Sequence, residues 1–291
     1  MTVSIGRVHS PGKAADYFAN DNYYTAEQSE AASVWMGEGS RDLGLSGTVE
    51  ASVFEKILDG KLPDGTQVNN PETRDYGRDF TFSMPKSASL LALVSGDTRI
   101  LAAHLQAVKE TMAWAEKNLA EARVHVGGKD VAVRTGNLVY ALFQHDTSRA
   151  TDPQSHIHAV IANLTRLPER FRKRDRVDPK TGEVISDNGW RAWHNGAMYR
   201  ASATLSSMAN AILREKLESL GYKTELSGKH GAFEILGPNG ERINKEALDG
   251  FSKRGNDIKA QAEALGVHSP EGRRAITQRT RDPKMNAGDR T

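Results

Sequence analysis

Residues 136–164 read Gly136-Asn-Leu-Val-Tyr-Ala-Leu-Phe-Gln-His145, then Asp146-Thr-Ser-Arg149-Ala-Thr-Asp-Pro153-Gln-Ser155, then His156-Ile-His158-Ala-Val-Ile-Ala-Asn-Leu164. The outer runs are rich in apolar, β-branched and aromatic residues, and the polar stretch 146–155 between them has the composition of a connection. The spacing predicts two strands, 136–145 and 156–164. Side chains two apart on a strand share a face, so His156 and His158 would project together, close enough for both imidazoles to hold one ion. If the two strands pair, His145 at the end of the first can supply a third nitrogen. Three neutral imidazoles that leave positions open describe a catalytic metal site rather than a closed structural one.

Working outward, residues 78–84 (RDFTFSM) alternate, placing Asp79, Thr81 and Ser83 on one strand face and Phe80, Phe82 and Met84 on the other. Asp79 could accept a hydrogen bond from a ligand His and fix its tautomer; its plainer reading is a solvent-facing carboxylate on an edge strand. Pro85 ends that strand, and helical patterns follow at 87–94 and 98–122. Earlier, residues 11–19 predict a short helix with Pro11 in its first turn, and 46–59 a second, stopped by the turn residues KLPDG at 61–65. Later, a basic, turn-rich excursion at 166–189 leads to a helix at about 197–219 and short strands at 221–226 and 232–236. Sheet segments interleaved with long helices predict an α/β or α+β sandwich around one central sheet.

The bulk properties mainly exclude. With 291 residues, 38% hydrophobic and 26% charged, the chain suits one large or two small domains. It has no apolar run of the roughly 20 residues that a membrane span needs, and its first residues lack the apolar stretch of a secretory signal. A cytoplasmic protein without a membrane segment is expected. The absence of Cys removes disulfides and Cys-ligated zinc. A net charge of +2 does not mark a nucleic-acid binder, although Arg170, Arg172, Lys173, Arg174 and Arg176 cluster in one stretch, and six Lys and Arg residues lie between Arg273 and Arg290. Solvated loops and tails carry such runs too, so charge does not decide. His9, His104, His125, His194, His230 and His268 lack metal-ligand spacing and read as structural or surface residues.

Near the start of the chain, Tyr17, Tyr23 and Tyr24 fall within eight residues, in Asp16-Tyr17-Phe18-Ala-Asn-Asp-Asn22-Tyr23-Tyr24. An amphipathic helix burying aromatic rings accounts for such a cluster by itself. Beside a three-His site it gains a second reading, because a phenol is a useful nucleophile where a metal polarises the electrophile.

Taken in order, Tyr17, Tyr23-Tyr24, Leu43-Gly-Leu-Ser-Gly47, Asp79-Phe-Thr-Phe-Ser-Met-Pro-Lys-Ser87, Gly136-Asn-Leu-Val139, His145-Asp-Thr-Ser-Arg149, Pro153 to Val160, Leu220-Gly-Tyr222 and Gly250-Phe-Ser-Lys-Arg254 resemble the relaxase domains of the TrwC/TraI type, the MobF group of conjugative plasmids. These belong to the histidine-hydrophobe-histidine (HUH) endonucleases. The resemblance covers nearly the whole chain, and it implies a central antiparallel sheet carrying the metal site, with helices packed around it. It implies strand- and site-specific nicking at an origin of transfer, through a 5′-phosphotyrosine and a free 3′-hydroxyl, reversible without ATP. Tyr17 would be the first nucleophile, His145, His156 and His158 the ligands of one divalent metal, Asp79 the nearby carboxylate, and Tyr23 and Tyr24 the second pair. Phe18 departs from the family, many members of which have a second tyrosine there, so the first pair offers only Tyr17.

The ion is open: imidazoles favour late transition metals, while cellular availability favours magnesium or manganese. The implied partners are single-stranded origin DNA with an adjacent hairpin and other relaxosome and conjugation proteins. Lys86 and Arg149 could clamp phosphates; Ser202, Asn210 and the basic excursion are candidates for the hairpin, and Trp190 and Trp193 for base stacking or for the core. Residues 1–270 would form the relaxase domain and 271–291 a basic polar tail. A rolling-circle replication initiator shares the His-x-His chemistry, but its tyrosine usually follows the histidines. A metal-dependent oxygenase would want a carboxylate ligand and leave the tyrosines idle. A non-catalytic single-stranded DNA-binding module is the alternative of another class. No Walker-type GxxxxGK[ST] motif occurs.

Overall fold

Alternating apolar patterns at the middle of the chain become the middle of a sheet. In a computed structural model, residues 1–19, 33–68, 75–148, 152–182, 184–237 and 239–252, with 256–257, 260 and 263–264, are described. The N-terminal half holds β1 (Thr2–Arg7), α1 (Pro11–Ala19), β2 (Ser33–Met36), α2 (Glu38–Asp42), α3 (Ala51–Leu58), β3 (Gly77–Ser83), α4 (Lys86–Leu93) and α5 (Thr98–Leu119). There follow β4 (Glu121–Val126), β5 (Lys129–Arg134), β6 (Tyr140–Thr147), β7 (Pro153–Ala162), β8 (Thr165–Arg166), β9 (Arg176–Val177), β10 (Val184–Ile185) and β11 (Trp190–Arg191). The chain continues through α6 (Gly196–Arg200), α7 (Ser202–Ser219), β12 (Thr224–Leu226), β13 (Phe233–Ile235) and α8 (Lys245–Gly250).

Five strands form one antiparallel sheet in the order β1-β3-β7-β6-β2, the fold class expected from the sequence. The alternation sorts its two faces. Phe80 and Phe82 of β3, Tyr140 and Leu142 of β6, and Ile157, Ala159 and Ile161 of β7 bury against Ile100, Val108 and Met112 of α5 and Leu205, Ala209 and Leu213 of α7. On the other face, Trp35, Ala141, Phe143, Val160 and Ala162 bury against Ala14 and Ala15 of α1 and Phe54, Ile57 and Leu58 of α3. Phe54 joins the layers by edge-to-face contacts with Trp35 at 5.9 Å and Phe143 at 5.0 Å between ring centroids. Full burial of each large apolar side chain contributes roughly 1.5–3 kcal/mol, so both faces are held.

Several boundaries differ from the sequence reading. The long helix ends at Leu119, and 121–134 is a hairpin that the helical reading at 98–122 partly overran. Its turn is Gly127-Gly128, both at positive φ (57° and 80°), a geometry two glycines adopt without steric cost. Residues 136–139 precede β6 rather than belong to it, and the β6–β7 connection shortens to 148–152 because both strands run further toward it than their apolar residues do. The helix expected at 197–219 is broken at Ala201. The edge strands β1, whose short alternation spans only Thr2 to Ile5, and β2, with little alternation of burial, were not anticipated.

Asn210 requires a correction. It was a candidate for DNA recognition, yet it is fully buried in α7. Its amide donates to the carbonyls of Met1 at 2.8 Å and His230 at 2.9 Å, while its oxygen accepts from the Met1 amino group. It ties β1 and the 229–231 turn to α7, and in this arrangement it cannot reach a base. Trp190 and Trp193 are likewise core residues, 7% and 4% exposed.

The edge of β3 against β7 tests the packing. Gly77 sits at φ 148°, and a Cβ there would lie 2.1 Å from the Ile161 carbonyl oxygen, backbone that cannot move without breaking the ladder. Gly77→Ala is expected to cost roughly 2–4 kcal/mol through strain and clash. Urea denaturation checks it, as a lowered midpoint at unchanged m-value.

Candidate metal centre

The site is built from strand register. In the β6–β7 ladder His145 pairs directly with His156, and His158 follows two residues on, so all three imidazoles leave the same face of the sheet. A register shift between His145 and Thr147 ends regular pairing just beyond this point. One nitrogen from each ring lies within 4.8 Å of those of the other two, and the ring centroids are 4.8–5.3 Å apart. His145 and His158 are buried and His156 is half-buried.

Strand β3 supplies the next layer from the same face, since Ser83 pairs with His156, Thr81 with His158 and Asp79 with Val160. Nδ1 of His158 lies 2.9 and 2.8 Å from the two Asp79 carboxylate oxygens. A carboxylate can only accept, so the proton sits on Nδ1 and the lone pair on Nε2. Thr81 Oγ1 donates to Asp79 at 3.2 Å and lies 3.2 Å from the same imidazole nitrogen, holding both groups. Sequence reasoning placed Thr81 on the right face but gave it no role; its position two residues from Asp79 was the available signal. His156 donates from Nδ1 to the Gln154 carbonyl at 2.9 Å, which again leaves Nε2 as the lone-pair nitrogen.

Electrostatics favours the ligand form. Burial, then repulsion by His158, pushes the His156 pKa down to about 4, so its ring is neutral near pH 7. This donor set fits a divalent ion: three imidazoles close enough to share one centre, two of them with tautomers set by acceptors at the far nitrogen.

The other candidates lie as follows. Residue 17 belongs to α1, which packs through Ala14 and Ala15 on the histidine side of the sheet. Tyr23, Tyr24 and Arg149 lie outside the described residues. Lys86 opens α4 and donates from Nζ to the Pro153 carbonyl at 2.9 Å, at the start of the His156 strand; burial lowers its pKa. Ser202 is half-exposed at the first turn of α7, on the opposite side of the sheet from the histidines. In the basic excursion, Arg172 is engaged with the Leu167 carbonyl at 2.9 Å and Arg170 lies over the Phe171 ring. No helix among the described residues is long and apolar enough to cross a membrane.

Comparison with known proteins matches this arrangement to one family. The family model described as TrwC relaxase matches residues 11–291. Two curated Escherichia coli relatives, both multifunctional conjugation protein TraI and one of them from strain K12, are similar to the chain. They are 38% identical over 258 residues and 37% identical over 271 residues. The matches cover 86% and 91% of this chain but 14% of each relative, so the chain spans a small part of their length. Among solved structures, the conjugative relaxase TrwC in complex with oriT DNA, in a copper-bound form, superposes with a TM-score of 0.80 at 35% identity over 98% of this chain and 92% of that one. TrwC complexed with a 27-mer DNA comprising the recognition hairpin and the cleavage site gives 0.79 at 34% identity, with the same coverage.

Two expectations follow from the geometry. Asp79→Ala removes the acceptor that orients His158 and should weaken divalent-metal binding ten- to roughly a hundredfold, read by calorimetric titration. The second concerns acid. Burial, the larger cause, and nearby positive charge push the pKa of fully buried His104 down to about 3, from 6.5 when exposed. Unfolding therefore takes up a proton below pH 6.5, so this stability is full above that pH and falls as pH drops toward 3. Between pH 7 and 5 the chelator-treated protein should lose on the order of 2 kcal/mol from this ring, and His104→Gln should flatten that dependence in denaturation curves.

Proposed function

The chain belongs to the TrwC relaxase family, and on that footing we propose that it nicks one DNA strand at a plasmid origin of transfer by metal-dependent transesterification. The observation that carries this reading is the convergence of His145, His156 and His158 on the sheet face where α1, the helix of residue 17, also packs. A sheet face that gathers three imidazoles beside a tyrosine-bearing helix suits phosphoryl transfer better than the DNA-binding module considered above. Tyr17 also precedes the histidines, against the order usual in rolling-circle initiators.

In the proposed reaction the Tyr17 oxygen attacks the scissile phosphorus. The new O–P bond forms as the bond from phosphorus to the 3′-oxygen breaks, and the phenolic proton is passed on so that the leaving strand ends in a 3′-hydroxyl. The 5′-phosphate remains esterified to the protein; one phosphoester replaces another, so the reverse attack reseals the strand without ATP. A divalent ion held by the three imidazoles would supply Lewis-acid stabilisation of charge on the phosphate oxygens. Asp79 and Thr81 hold His158, and the Gln154 carbonyl holds His156. Magnesium or manganese is the proposed cellular ion, with other transition ions compatible with the imidazole set. Tyr23 or Tyr24 would serve a second transfer, since Phe18 has no oxygen to offer.

Lys86 and Arg149 are proposed to contact phosphates, which position the strand without reading it. The DNA substrate is proposed to be single-stranded origin DNA with an adjacent hairpin, by analogy with the TrwC complexes, and Ser202 remains a candidate contact for that hairpin. Residues 1–270 are read as the relaxase domain and 271–291 as a basic tail. A cytoplasmic location and association with other relaxosome proteins complete the reading.

Tyr17→Phe deletes the attacking oxygen and keeps the ring. Covalent capture of a labelled origin strand should fall by about a hundredfold or more, with non-covalent binding and thermal stability nearly unchanged. Tyr23→Phe and Tyr24→Phe should keep first cleavage. Denaturing electrophoresis with peptide mapping of the adduct checks this, and a Tyr17→Phe protein that forms the adduct at the original rate excludes Tyr17 as nucleophile.

A further inference from the structure

The imidazole of His156 is oriented by a peptide unit rather than by a carboxylate, and that peptide is itself held from outside the sheet. The carbonyl of the Gln154–Ser155 peptide accepts from His156 Nδ1 at 2.9 Å. The N–H of the same peptide donates to Ser89 Oγ, on α4, at 3.2 Å. The peptide plane is rigid, so fixing the N–H end fixes the direction of the carbonyl. The Gln154 side chain adds to the hold: its amide donates to Ser89 Oγ at 3.3 Å and to the Met84 carbonyl at 2.8 Å. Met84 N in turn donates to the Ser155 carbonyl at 3.0 Å, which closes the junction between β3, α4 and β7. Ser89 is fully buried, and its own N–H donates to the Pro85 carbonyl at 3.0 Å, so the hydroxyl sits on a fixed turn of helix.

We propose that Ser89 is a positioning residue for the metal centre: through the Gln154–Ser155 peptide it sets the tautomer and ring orientation of His156, as Asp79 does for His158. The two outer ligand rings of the H-x-H pair are thus oriented by unlike devices, a side-chain carboxylate on β3 and a backbone carbonyl clamped by a hydroxyl on α4. Ser89 is not one of the three candidate ligands, and its full burial keeps it off the surface. Losing its hydroxyl leaves the Ser155 N–H without its acceptor and frees the carbonyl to turn away from His156. Gln154→Met removes the supporting amide but spares the Ser89 acceptor, so it acts in the same direction and less strongly.

The inference rests on the metal-site reading, and the experiment separates the two. Manganese and cobalt are titrated calorimetrically into the full chain and into the Ser89→Ala, Gln154→Met, His156→Ala and Thr111→Ala proteins. Thr111→Ala deletes a different buried hydroxyl, one that donates to the Ala107 carbonyl at 2.8 Å within α5, and controls for general loosening. Long-range 15N–1H spectra of the metal-free proteins report the imidazole tautomers. The expected result is a ten- to roughly hundredfold weaker metal affinity for Ser89→Ala, a smaller loss for Gln154→Met and less than about a twofold change for Thr111→Ala. His156 should be protonated at Nδ1 in the unmodified protein and a mixture of tautomers in Ser89→Ala. If the unmodified protein binds metal no better than His156→Ala does, the metal-site reading fails. If His156 contributes to binding but a folded Ser89→Ala protein retains full affinity, the positioning role is overturned. Should Ser89→Ala not fold, unchanged affinity in Gln154→Met, or an Nε2-protonated His156 in the unmodified protein, overturns it equally.

Discussion

The antiparallel register of β6 against β7 sets His145 opposite His156 and brings His158 to the same side. Because side chains alternate, a slip of one residue in either strand would send its ligands into the layer beneath α5 and α7. The register is fixed by burial on both faces. Leu142, Ile157, Ala159 and Ile161 have to meet one helical layer, while Ala141, Phe143, Val160 and Ala162 have to meet the other. The ligands thus occupy positions that the hydrophobic effect has already assigned, and no loop needs to be ordered to assemble them.

Placing polar rings at such positions has an electrostatic consequence. Burial disfavours the charged imidazole, as the lowered pKa of His156 reflects. Neutral rings are what a metal ligand requires, so the same desolvation that stabilises the strands prepares the donors. Asp79 complements this by geometry: it gives His158 an acceptor at Nδ1 and places a carboxylate beside a centre that would receive a cation. Asn210 shows the opposite use of a buried polar group. All of its amide contacts are made within the protein, and it fastens β1 and a turn to α7.

Much of this was legible in the sequence because it is carried by periodicity. The two-residue spacing of His156 and His158, the alternation around Asp79 and the apolar runs of β6 and β7 each announce a face. What was not legible depends on partners distant in the chain. The strand β1 alternates over only four residues, with Val3 and Ile5 partly buried against the core and Thr2 and Ser4 exposed, and its partner β3 lies 70 residues further on. The burial of Asn210 depends on Met1, 209 residues away, and a polar residue on a helix gives no sign of a partner at that distance. The hairpin at 121–134 was local and carried its own signal in Gly127-Gly128, but the long helical pattern before it was extended past Leu119 into its first strand.

Strand order also has a temporal side. The two outermost strands, β1 and β2, are the first to be made, yet their neighbours β3 and β6 lie 70 or more residues later, and β7, which joins those neighbours, later still. Emerging from the ribosome, the first two strands have no sheet to join. The β6–β7 hairpin is the most local pairing of the five-stranded sheet, while β1 pairs with β3 and β2 with β6 across much longer loops. The three histidines therefore come together across a short loop, whereas the helix of residue 17 reaches the same face from more than a hundred residues earlier in the chain. The histidine-bearing face is thus ordered by local pairing, while the approach of α1 to it depends on closure over most of the N-terminal half of the chain.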